Sequence, residues 1–177
     1  MKSEGKLMNM LTGYAASHQH PFNIFVHMIG IPAIMIGVLI PLTWVGIEIN
    51  SFHFYLAHLL VLGFFLFYLT LDVLFAVVFA VAGYFLIVLA EMLGSYPGNT
   101  GWYIAGACFF GGYIAQFVGH AVERSMPVLL KHPIQANLAA PFFTVVELFK
   151  IFGLRSGLFD AVQKQIVAER EVTATGG

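Results

Sequence analysis

The chain has 177 residues, 59% of them hydrophobic and only 10% charged, with a formal net charge of −1. A soluble domain carries roughly 25% charged residues, so the composition excludes one. The near-neutral charge excludes a nucleic-acid binder, which needs a basic patch, and the single cysteine, Cys108, excludes a disulfide framework or a thiolate metal site.

Residues 1–21 read as a cytosolic N-terminal segment. It lacks a basic region followed directly by an apolar core and a small-residue cleavage site, so it does not read as a signal peptide. A helical span needs ~20 apolar residues. The first runs from Phe22 to Ile47, with Pro32 and Pro41 inside it as tolerated kinks. Asn50 and Ser51 mark a turn. The apolar stretch from Phe54 to Leu93 is worth ~60 Å of helix, two crossings of a ~30 Å core, with a reversal near Thr70-Leu71-Asp72. Ser95-Tyr-Pro-Gly-Asn-Thr-Gly101 is a loop, and Trp102 to Ala121 is the fourth span. Ile134 to Phe152 carries Pro141 and Glu147, is too short and interrupted for a span, and reads as a re-entrant or interfacial helix. The tail from Arg155 is polar, with Asp160 to Arg170 helical. The expected fold is thus an all-α integral membrane protein of a single domain. It has four transmembrane helices over 22–121, a loop and re-entrant or interfacial helix over 122–152, and a polar cytosolic tail over 153–177.

All eight Lys and Arg lie either at Lys2 and Lys6 or from Arg124 onward. The positive-inside rule with four spans therefore puts both termini in the cytosol. His18, His20 and His27 then sit at the cytosolic entrance of span one, His120 at the cytosolic end of span four, and His132 in the loop after it. A histidine at membrane depth is costly and functional by default, and imidazole is the commonest ligand for transition metals. His53 and His58 lie on the far face, where an imidazole more often serves as an amphipathic anchor.

Asn23 and His27 stand at i and i+4 on one helix face, and Gln116, His120 and Glu123 form a stripe at i, i+4 and i+7. Histidines and a carboxylate from separate helices make the ligand set of non-haem iron sites. Asn23 and Gln116 are candidates for fixing the imidazole tautomers, and Glu147, in an otherwise apolar helix, needs a partner, the metal site among them. The residues alone leave other readings open: a zinc-dependent membrane lipid hydrolase, a bis-histidine haem or quinone carrier, and a non-enzymatic lipid-binding or scaffold protein.

The pattern Tyr14-x3-His18-x2-Pro21-x-Asn23-x3-His27-x2-Gly30-x-Pro32 resembles the signature of the fungal 2-hydroxy fatty acid dioxygenase family. The block Gln116-Phe-Val-Gly-His120-x2-Glu123-x3-Pro127, followed by Ala140-Pro141-Phe-Phe and Glu147, resembles that family's C-terminal block, so the likeness runs from Tyr14 to Phe149. It implies a protein of the endoplasmic reticulum or bacterial inner membrane. The implied activity is iron(II)-dependent α-oxidation, which uses O2 to shorten a long-chain 2-hydroxy fatty acid by one carbon in phytosphingosine breakdown. His18, His27 and His120 match family histidines and are the implied catalytic ligands. His20, which matches no fixed histidine there, Glu123 and His132 complete the candidate ligand set. Arg124 or Lys131 would neutralise the substrate carboxylate, and the acyl tail would lie between the spans.

Overall fold

The computed structural model describes residues 2–16, 18–50 and 52–175. Eight helices and one hairpin follow in order: α1 (Lys2–Ala15), α2 (Pro21–Thr43), β1 (Gly46–Ile49), β2 (Phe52–Tyr55), α3 (Leu56–Leu69), α4 (Val73–Gly94), α5 (Thr100–Glu123), α6 (Val128–Lys131), α7 (Pro133–Ile151) and α8 (Ser156–Thr175). The helix ends follow local chemistry. Pro21 opens α2, where its missing N–H costs nothing, and His20 caps it by accepting from the Phe22 N–H at 3.2 Å. Asp72 caps α4 by accepting from the Phe75 N–H. Arg124, left-handed at φ 56°, ends α5.

Helices α2, α4, α5 and α7 are long and apolar enough to cross a membrane. Helix α3 has 14 residues, ~21 Å at 1.5 Å per residue, which is short of a ~30 Å core. The structure turns between α3 and α4 at residues 70–72, as the sequence predicts. Helix α3 is thus shorter than the second span read from the sequence, and three further elements differ. The first span ends at Thr43 rather than Ile47, because Gly46–Ile49 pairs with Phe52–Tyr55 as an antiparallel hairpin in the register Gly46↔Tyr55 to Ile49↔Phe52. Asn50 turns that hairpin at φ 48°. The N-terminal segment is helical, and its Leu7, Leu11 and Tyr14 form one buried stripe at i, i+4 and i+7. The helix expected over Ile134 to Phe152 is present as α7, but it runs 19 residues unbroken through Pro141 and is long enough to span, where the sequence reads as too short and interrupted.

Long-range contacts hold α7 in place. Tyr68 donates to the Leu138 carbonyl at 2.8 Å, and Phe75 meets both Phe142 and Phe149. Leu138 and Phe149 are 11 residues apart, ~16 Å of helix, yet both reach residues flanking the single α3–α4 turn. Helix α7 packs against the end of α3, the start of α4 and, through Asn137, Tyr113 of α5. Arg155 fastens its far end, pairing with Asp72 at 2.7 Å and covering the Phe75 ring.

The most extensive helix pair is α2 with α5, running antiparallel. Lipid is as apolar as leucine, so membrane helices gain affinity from close backbone approach at small residues. A Cβ added at Gly37 would stand 2.7 Å from the Ala105 carbonyl oxygen, and one at Gly112 would stand 2.7 Å from that of Gly30. Gly30 and Gly37 thus face Gly112 and Ala105 at seven-residue spacing, and Gly119 extends the seam against Asn23 and Val26. This seam holds the N-terminus of α2 beside the C-terminus of α5.

Candidate metal centre

The link after α1, the first turns of α2 and the last turn of α5 converge on three buried imidazoles: His18, His27 and His120. One nitrogen from each lies within 4.8 Å of the others, compact enough to hold one metal ion. The rings meet edge to face, with centroids 4.4 to 5.0 Å apart. Each Nδ1 is already engaged. His18 Nδ1 donates to the Tyr14 carbonyl at 2.8 Å and His27 Nδ1 to the Asn23 carbonyl at 2.9 Å, both one helical turn back. His120 Nδ1 meets Ser125 Oγ at 2.9 Å.

These bonds fix the tautomers. A carbonyl only accepts, so a neutral His18 and a neutral His27 both carry the proton on Nδ1 and a bare lone pair on Nε2. The two Nε2 atoms stand 3.1 Å apart. Burial, with the neighbouring His27 adding to it, pushes the His18 imidazole down to about 3, so it is neutral at physiological pH. Two lone pairs facing each other in a dry pocket repel, and a shared electrophile removes the repulsion. The donor set therefore fits a metal: neutral imidazoles, free Nε2 atoms, and a partner holding each opposite nitrogen. Tyr14 braces the cluster, stacked on His18 with ring centroids 4.0 Å apart and packed on Phe143 at 3.9 Å. Burial, then the nearby Glu147 carboxylate, pushes its phenol up, so it stays protonated.

The imidazoles form one end of a cavity of about 240 Å³. Its wall runs down α2 through Ile31, Met35 and Val38 to Leu60 and Phe64 of α3. From His27 to Val38 is 11 residues, ~16 Å of helix. Helix α7 roofs the cavity with Ala136, Asn137, Ala140 and Pro141. Among the described residues that line it there is no lysine or arginine; the polar ones besides the imidazoles are Tyr14, Tyr113, Gln116 and Asn137.

The structure separates the candidate residues. Glu123 is not in the cluster. Its Oε1 accepts from the Gln19 and His20 N–H groups at 2.6 and 3.2 Å, and its Oε2 accepts from Asn23 Nδ2. It ties the His18 link and the start of α2 to the end of α5. Asn23 contributes its carbonyl to His27 and its amide to Glu123. His20 is exposed as the α2 cap, and His132 is exposed at the start of α7. The Glu147 carboxylate pairs with Lys150 at 3.4 Å, one turn away, and meets no imidazole. Gln116 bonds no imidazole either, because backbone carbonyls and Ser125 take the tautomer-fixing role. Arg124 is exposed at the helix end, and Lys131 lines a separate groove with Lys6 and His132. His53 and His58 lie at the opposite end of the bundle, on Glu48 at 3.7 Å and on the Tyr55 N–H at 3.0 Å. Sequence reasoning missed Ser125 and the bracing role of Tyr14. Ser125 reaches His120 through the left-handed turn at Arg124, which no helical periodicity reveals.

No curated protein and no solved structure matches the chain. A family model described as 2-hydroxy-palmitic acid dioxygenase Mpo1-like does match it, over residues 5–151. That range contains all three imidazoles, their braces and the whole cavity wall, and the chain belongs to this family.

Proposed function

We propose that the protein is an iron(II)-dependent dioxygenase that shortens long-chain 2-hydroxy fatty acids by one carbon. The observation that carries the reading is the pairing of a buried three-imidazole cluster with an apolar cavity that opens from it. The family's description supplies the substrate class and the reaction type. The reaction balances without an external reductant: the 2-hydroxy acid and O2 yield the acid one carbon shorter, carbon dioxide and water.

His18, His27 and His120 would hold the ion. Iron(II) bound there supplies the activation of O2. The chain's own residues do the rest. The Tyr14 and Asn23 carbonyls and Ser125 hold the imidazoles with Nε2 free. Glu123 holds His18 against α2. The apolar wall from Ile31 to Phe64 takes the acyl chain and excludes water from the reacting end. Helices α2, α4 and α5 cross the membrane as one domain, the shorter α3 returning the chain between α2 and α4 with β2 at its far end, with α7 as an interfacial roof and both termini in the cytosol. The protein resides in a bacterial inner membrane or the endoplasmic reticulum.

The test is metal content and O2 uptake of detergent-purified protein prepared anaerobically, beside His27→Ala. Near-stoichiometric iron, lost in the variant, with O2 consumed on adding 2-hydroxypalmitate, is the expected result. Stoichiometric zinc, with ester hydrolysis in place of O2 uptake, would replace this reading with a hydrolase.

A further inference from the structure

The cavity has a polar group that the metal centre does not use. Gln116 lines it one turn before His120 on α5, so both side chains stand on the same helix face. Its Cγ and Nε2 lie 3.4 and 3.6 Å from where a Cβ at Gly30 would stand, and Gly30 follows His27 by three residues on α2. The glycine thus makes the space in which the glutamine lies, immediately below the imidazoles. Among the described residues the Gln116 amide has no hydrogen-bond partner. Nearby, Tyr113 and Asn137 satisfy each other at 2.8 Å. A primary amide offers two donors and an acceptor, and a ligand in the cavity can meet them where the apolar wall around them offers no partner.

We propose that Gln116 is a specificity-determining residue that reads the oxygen on carbon 2 of the bound acid. This deepens the dioxygenase reading and rests on it. A ligand seated with its head at the imidazoles and its tail along α2 must pass its first carbons beside this amide. The wall there has no lysine or arginine to pair a carboxylate. It therefore selects by hydrogen bonding to a neutral oxygen rather than by charge. A hydroxyl on carbon 2 both donates to Oε1 and accepts from Nε2; a plain fatty acid leaves the amide unmet. A site built to bond a hydroxyl discriminates strongly against the analogue that lacks it.

The experiment is calorimetric titration of the metal-loaded protein, under anaerobic conditions so that nothing turns over, with 2-hydroxypalmitate and with palmitate. The wild type is compared with Gln116→Met, which keeps the length without the amide, and with Gln116→Leu. Metal content is measured in each sample, and the comparison uses whichever variant retains it. The wild type is expected to prefer the 2-hydroxy acid. The variant's preference falls by about tenfold through weaker binding of that ligand, while palmitate binds as well or better. A preference unchanged in the metal-loaded variant overturns the role of Gln116 and leaves the proposed function standing. A wild type that binds the two acids equally overturns the substrate reading itself.

Discussion

His18, His27 and His120 share one arrangement: one nitrogen is held by the chain and the other left bare. For His18 and His27 the holder is the carbonyl four residues earlier, so no side-chain substitution removes it. For His120 it is the Ser125 hydroxyl, and that bond can be deleted. Ser125→Ala leaves all three imidazoles in place but frees the His120 ring to turn. Outer partners of this kind are worth roughly 10- to 100-fold in metal affinity, so the variant should fold and bind iron at least tenfold more weakly in a chelator competition. Glu123 gives a contrasting case. Glu123→Gln places an amide N–H against either the backbone N–H groups of residues 19 and 20 or the Asn23 amide, and one donor must lose its partner. A loss of about 1–2 kcal/mol in denaturant unfolding is expected, with weaker iron binding as His18 loosens. The histidines were legible in the sequence because imidazole at membrane depth is costly and conspicuous. The division of labour was not, since Glu123 and His120 occupy one helical stripe yet only the latter faces the cluster.

Among the elements, α2 and α5 matter most, because His27 and His120 meet only if the two helices approach at backbone distance. The contact at Gly112 admits no side chain: its Cβ would lie 2.7 Å from the Gly30 carbonyl oxygen and 2.6 Å from Ile34 Cγ1. Neither backbone can yield without moving the helices apart. Gly112→Val should therefore cost about 2 kcal/mol or more, as overpacking does, and lower the thermal midpoint in detergent. It should also lose iron, although residue 112 lies two turns from His120. Gly106→Val on the same helix, where nothing stands within 4 Å of the added Cβ, should leave both unchanged. Helix positions were legible here because apolar length is a direct signal. The hairpin at 46–55 was hidden because Ile47 and Ile49 continue the hydrophobic run; α7 was legible as a helix, but its unbroken length was not, because a single proline in a well-packed helix does not break it. Its contacts with Tyr68 and Phe75 join residues far apart in the chain, and no local pattern carries that.

At the scale of the whole molecule, the two ends of the bundle differ in chemistry, and the difference predicts which way the protein sits. From Thr100 to His120 is 20 residues, ~30 Å of α5, the thickness of a bilayer core. The imidazole end carries Lys6, Arg124, Lys131 and the Arg155–Asp72 pair. The opposite end carries no lysine or arginine among the described residues; it has Glu48 and Glu91 with exposed Trp44, Tyr96, Trp102 and Tyr103. Cations favour the cytosolic side, and indole and phenol rings favour the interface, so the imidazole end should face the cytosol. Single cysteines read this directly. In a Cys108→Ala background, Ser95→Cys reports the aromatic end and Ser156→Cys the cationic end; both positions are exposed and the exchange is nearly isosteric. In intact cells of a bacterial host, a thiol reagent that enters the periplasm but not the cytosol should label residue 95 and spare residue 156 until the inner membrane is permeabilised. The reverse pattern would invert the protein. Labelling of both before permeabilisation would mean that α7 crosses the membrane after all, carrying α8 to the other side, and the cavity roof would then have to be rebuilt as a fifth wall.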